Sequence, residues 1–64
     1  MEKELLKLIE ECSEVQHVAC KILTYGWHFV PGAHYPDKER ALLDEIADLK
    51  RAIAATEKLI EERS

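Results

Sequence analysis

Residues 5–26, LLKLIEECSEVQHVACKILTYG, decide the architecture of this chain. Apolar side chains at Leu5, Leu8, Cys12, Val15, Ala19 and Ile22 step by 3, 4, 3, 4 and 3 positions, which is the unbroken heptad seam of a helix built to pack against another. Leu6, Ile9 and Leu23 lie beside the seam and widen it, supplying surface for a further partner. Gly26 follows the last periodic residues and can take a left-handed C′ conformation, while Pro31 and Pro36 prevent a quick resumption. The spacing predicts a helix from about residue 2 to 25.

A second seam runs through Leu42, Ile46, Leu49, Ile53, Thr56 and Ile60. With Pro36 and Asp37 as its opening and Asp37 as N-cap, it predicts a helix from about 37 to 62. The intervening loop, 26–36, carries Trp27, Phe29 and Tyr35 together with His28 and His34. The expected fold is all-α: an antiparallel helical hairpin, one domain over residues 1–64. Two helices cover only one stripe of each other, and hairpins of this size usually complete a core by association. A four-helix bundle formed by a homo-oligomer, dimer or tetramer, is therefore expected.

Composition narrows the function classes. The chain has 64 residues, 47% apolar and 34% charged, too apolar for disorder and too charged for a membrane span. Its longest apolar run is Ala52 to Ala55, so neither a transmembrane helix nor a signal-peptide core can be drawn, and a cytoplasmic location is expected. Thirteen acids against nine bases give a net charge of −4, the wrong balance for non-specific grip on a nucleic-acid backbone. A large enclosed pocket within one copy is not expected either. Cys12 and Cys20 are about 12 Å apart along one helix, too far to pair, and are expected as reduced, buried small apolar residues. No Cys and His positions show a recurring zinc-ligand spacing.

The acidic residues carry the chemistry. Glu10, Glu11 and Glu14 form EExxE on the first helix, and Glu45 and Asp48 form ExxD on the second. A step of three brings two carboxylates onto adjacent turns of one face, where like charges destabilise a bare helix. At about 100° per residue, Glu11 and Glu14 lie roughly 70° and 130° to one side of their seam, and Glu45 and Asp48 roughly 55° and 115° in the same sense. In an antiparallel pair, equal-sense offsets project to the same edge, and the two pairs agree in height to about one turn. Four carboxylates are thereby expected to converge. Such a cluster repels itself unless acids protonate or a hard divalent cation occupies it, and oxygen-only ligation suits Mg²⁺, with Mn²⁺ as substitute. The alternative on spacing alone is a solvated acidic face that binds nothing.

The stretch LIEECSEVQHVACKILTYGW, residues 8–27, followed by LLDEIADLKRAI, residues 42–53, resembles the MazG-like all-α nucleoside triphosphate pyrophosphohydrolases, a group related to dimeric dUTPases. The resemblance rests on EExxE, then ExxD, with the Lys21 to Gly26 ending of the first helix between them. It implies Glu11, Glu14, Glu45 and Asp48 as Mg²⁺ ligands, with Glu10 supporting them or helping to orient water, so that Glu10 and Glu11 are the catalytic candidates. It also implies a nucleoside triphosphate substrate cleaved to monophosphate and pyrophosphate. Lys21 lies about 20° from Glu14 around the helix and two turns towards the loop, within reach of a phosphate; a solvated lysine is the alternative. Family members usually add one or two helices that finish the nucleotide pocket, so base recognition is expected from the loop or another subunit. Trp27, Phe29 or Tyr35 can stack on a base while His28 or His34 donates to it; equally, these rings can cap the open end of the bundle. Two other classes stay open: a relative that binds nucleotide or metal without turnover, and a structural hairpin dimer acting as an adaptor or RNA-binding bundle.

Overall fold

The computed structural model describes residues 2–27 and 38–64. Two helices, α1 (Lys3–Tyr25) and α2 (Lys38–Arg63), pack side by side as a hairpin. Both agree within a residue or so with the lengths read from the seams. The expected N-cap at Asp37 and the loop positions His28, Phe29, His34, Tyr35 and Pro36 lie outside the described residues.

The first helix stops where glycine permits it. Gly26 has φ 86 and ψ 172, and its N–H donates to the Ile22 carbonyl at 2.7 Å. The positive φ expected there is present, but its ψ is extended rather than left-handed helical, a combination open essentially to glycine alone. A Cβ at this position would meet nothing within 4 Å, so the requirement comes from the backbone and not from crowding. Contacts at both ends set the antiparallel arrangement. At the loop end, the Lys38 ammonium donates to the Gly26 carbonyl at 3.1 Å and lies 5.3 Å from the centre of the Tyr25 ring. At the far end, Arg63 pairs with Glu2 at 3.1 Å.

The interface between the helices is rotated from the expected seam. On α1, Glu11 and Ile22 are buried and Leu8, Val15, Val18 and Ala19 half-buried, whereas Leu5 and Cys12 are exposed. On α2, Ala52 and Thr56 are buried and Leu42, Glu45, Leu49 and Leu59 half-buried, whereas Ile53 and Ile60 are exposed. Each helix is thus turned by about 50° from the centre of its apolar sector, towards the acids. The apolar sector is wider than one neighbouring helix can cover, so only half of it is used. The chosen half includes the small Ala52 and Thr56, which permit close approach. Thr56 satisfies its buried hydroxyl by donating to the Ala52 carbonyl at 2.9 Å.

Two consequences follow. Cys12 and Cys20 are free but exposed, contrary to the buried cysteines expected: Cys12 lies in the part of the apolar sector that faces outward, and Cys20 lies about 180° around α1 from the buried Glu11. Large apolar side chains are thereby left exposed: Leu5, Leu6, Ile9 and Leu23 on α1, with Leu43, Ile53 and Ile60 on α2, are all more than two-fifths exposed. Among the described residues, no helix is long and apolar enough to cross a membrane.

Candidate metal centre

Rotation of both helices brings the acids inward. Glu11, expected on the flank of its helix, lies in the interface and is 3% exposed. Glu45 and Asp48 are half-buried across from it, while Glu10 and Glu14 remain exposed. Two groups of carboxylates form, and within each group one oxygen per residue lies within 4.8 Å of the others. The first is Glu10, Glu11 and Glu14 along α1; the second is Glu11, Glu45 and Asp48 across the two helices. Glu11 belongs to both.

The electrostatics of the cluster are unbalanced. Among the described residues, the buried side-chain oxygens without a hydrogen-bond partner are Glu11 Oε2 and Glu45 Oε2. A buried, unsatisfied carboxylate oxygen is costly, because it has lost water and gained nothing. Glu14 lies within hydrogen-bonding reach of Glu45, and that bond, followed by the field of Glu11, pushes its carboxyl up to about 7. A raised carboxyl of this kind is the mark of like charges held close together, which disfavours the ionised form of Glu14.

Two basic side chains partly answer this charge. Lys7 Nζ pairs with Glu11 Oε1 at 2.9 Å and with Glu10 at 3.7 Å. Its ammonium is held above the ordinary lysine range by the hydrogen bond to Glu11, then by the fields of Glu10 and Glu11. On α2, Arg51 pairs with Asp48. Neither cation was singled out from the sequence, although i,i+4 and i,i+3 spacings were there to read.

The chemistry of the donors fits a hard divalent ion: oxygen atoms only, several carboxylates, and two buried oxygens without a hydrogen-bond partner, on Glu11 and Glu45. Glu11, Glu45 and Asp48 would hold it from both helices, with Glu10 and Glu14 at the α1 side.

The remaining candidates are not gathered at this cluster. Lys21 is exposed, two turns from Glu14, and has no partner among the described residues. Trp27 is 52% exposed and lines a shallow groove of about 370 Å³ with Glu39, Leu42, Leu43 and Ile46. By helical geometry Leu43 and Ile46 lie about 140–160° around α2 from Asp48. Trp27 therefore borders the apolar side of the hairpin, away from the carboxylates.

No protein-family model matches this chain, and no curated protein or solved structure matches it either.

Proposed function

We propose that this protein is a Mg²⁺-dependent nucleoside triphosphate pyrophosphohydrolase similar to the MazG-like enzymes, working as a homodimer or homotetramer. One observation carries the reading: two carboxylate triads that share the 97% buried Glu11, with vacant oxygens on Glu11 and Glu45. The EExxE and ExxD motifs supply the reaction class through their resemblance to that family.

A divalent ion at such a site would neutralise phosphate oxygens and lower the pKa of an attacking water. The residues do the rest. Glu11, Glu45 and Asp48 fix the position of the charge from two helices, so hairpin geometry sets where a triphosphate can dock. Glu14, with its carboxyl near 7, can hold or release a proton at neutral pH, and Glu10 at the exposed edge can orient water. Lys21 extends on the same side of α1, two turns away, towards a phosphate tail.

Association completes the molecule. Only Ile22 and Ala52 are buried apolar residues among those described, too small a core for a stable hairpin of this length. Two hairpins meeting through Leu5, Ile9, Leu23, Leu43 and Ile53 give a four-helix bundle with the acids on its outer sides. Such a bundle carries two copies of the metal centre.

A second reading, a metal-binding hairpin without turnover, is favoured by the separation of Trp27 from the acids. The deciding experiment incubates purified protein with ribo- and deoxynucleoside triphosphates and Mg²⁺, and measures monophosphate and pyrophosphate. The hydrolase reading expects both products in equal amounts. Intact nucleotides under Mg²⁺ and under Mn²⁺, with divalent binding retained, would leave the second reading standing instead.

A further inference from the structure

Lys7 stands in an unusual position for a surface lysine. Its side chain is 59% exposed, yet its ammonium reaches the most deeply buried carboxylate of the described chain, Glu11, whose side chain is 4% exposed. Ion pairs between exposed groups contribute little to stability, and a lysine placed N-terminal to a glutamate at i,i+4 is the less favourable order on a helix. Helix preference alone therefore gives weak reason for the pair. Glu11 gives a stronger one: a buried carboxylate left with no cation is destabilising.

Lys7 answers that charge incompletely. It binds Oε1 of Glu11 and leaves Oε2 without a partner. Its other partner is Glu10, on the exposed edge, while Asp48 is paired with Arg51. A single ammonium carries one charge and cannot span both triads. A divalent ion carries two and accepts oxygens from several carboxylates together. Both cations compete for the same acid, and the lysine, a point charge on a flexible four-carbon stem, can swing into solvent without moving α1.

We propose that Lys7 is a resident counter-cation of the metal centre, holding Glu11 in the metal-free protein and displaced when a divalent ion enters. The inference rests on the metal-site reading above. It assigns Lys7 a cost and a benefit: the lysine lowers divalent affinity and supports the metal-free fold. A purely structural lysine would support the fold equally with and without metal.

The test is Lys7→Met, with Lys7→Gln as the milder variant and Lys58→Met, an exposed lysine far along α2, as the control for net charge. Calorimetric titration with Mn²⁺ and with Mg²⁺, without nucleotide, should show both Lys7 variants binding about tenfold tighter than the unaltered protein, and Lys58→Met unchanged. Metal-free melting temperatures of the Lys7 variants should fall by about 4–8 °C, the shift that 1 kcal/mol produces in a domain of this size. Saturating Mg²⁺ should close that gap. If Lys7→Met destabilises the protein too far to titrate, Lys7→Gln and the Lys7 side-chain NMR resonances of the unaltered protein decide the matter, since those resonances should move to solvent-like positions on Mg²⁺ saturation. Equal divalent affinity in all variants overturns the role of Lys7 and leaves the metal site intact. Absence of divalent binding in every protein, the unaltered one included, overturns the metal site and the role of Lys7 with it.

Discussion

Glu11 and Leu23 stand on the same helix and have exchanged the environments their chemistry favours. The carboxylate is 3% exposed and the leucine 87% exposed. In a self-sufficient hairpin both placements are unfavourable, since burial of a charge is costly and exposure of a large apolar side chain forfeits its burial. The pattern extends beyond the two residues. Glu10, Glu14 and Asp48 lie to one side of the interface, the unused apolar residues lie to the other, and Glu11 and Glu45 sit between, so the hairpin has an acidic side and an apolar side. Under the proposed function each side is half of an interaction, the first open to a cation and the second to another copy of the chain.

The largest effect expected separates the acidic side from general surface charge. Glu45→Gln should reduce turnover by at least about 100-fold, as loss of a metal-site carboxylate does, and should remove stabilisation by Mg²⁺, while Glu57→Ala leaves both unchanged. Comparable losses in the two variants would mean that the wrong acids had been chosen. On the apolar side, Leu23→Asp should raise the dimer dissociation constant about 30-fold, corresponding to about 2 kcal/mol, as read by sedimentation equilibrium. A side chain so exposed in one hairpin should act through association alone, so any loss of stability should shrink as protein concentration rises.

Glu11→Leu inverts the usual expectation for a buried position. In metal-free solution it should stabilise the protein by about 1–3 kcal/mol, because an apolar group replaces a buried carboxylate with an unpartnered oxygen and the Lys7 left behind is already exposed, while abolishing the divalent response. A lower melting temperature for this variant in the absence of metal would break the comparison at its centre. Gly26→Ala should destabilise by about 1–3 kcal/mol through backbone strain, without affecting metal affinity, and so sets a baseline away from both sides.

The smallest effect is a dependence on pH. Because the Glu14 carboxyl is raised to about 7 from 4.5, the folded protein binds this proton more tightly than the unfolded chain. The stability this adds is fully present below about pH 4.5 and is lost as pH rises through about 7. Metal-free melting temperatures should decline across that window, less steeply in Glu14→Gln. Saturating Mg²⁺ should oppose the decline, because the ion favours the carboxylate that forms.

The helix boundaries were legible because glycine and the flanking prolines act locally. Tyr25 ends α1 for reasons contained in Gly26 itself, and the shared side of the two acidic pairs followed from helical periodicity. The rotation of the interface was not legible. A heptad seam locates the centre of an apolar sector, but the sector here is wide enough for two neighbours, and nothing in its spacing tells which half meets the chain's own second helix. The same ambiguity led to Cys12 being expected inside and Glu11 on a flank. Three of the four acids expected to meet, Glu11, Glu45 and Asp48, group across the helices because both turned in the same sense, whereas Glu14 groups with Glu10 and Glu11 along α1. Trp27 follows a different logic, since the direction of a side chain just beyond a helix end depends on backbone torsions that periodicity does not encode.

Arg63 and Glu2 close the end of the hairpin farthest from the loop. That clasp makes the first and last turns neighbours, so a donor and an acceptor fluorophore attached there would report splaying of the two helices as a loss of energy transfer. Opening at that end could then be timed in single molecules, with and without Mg²⁺, separately from events at the loop.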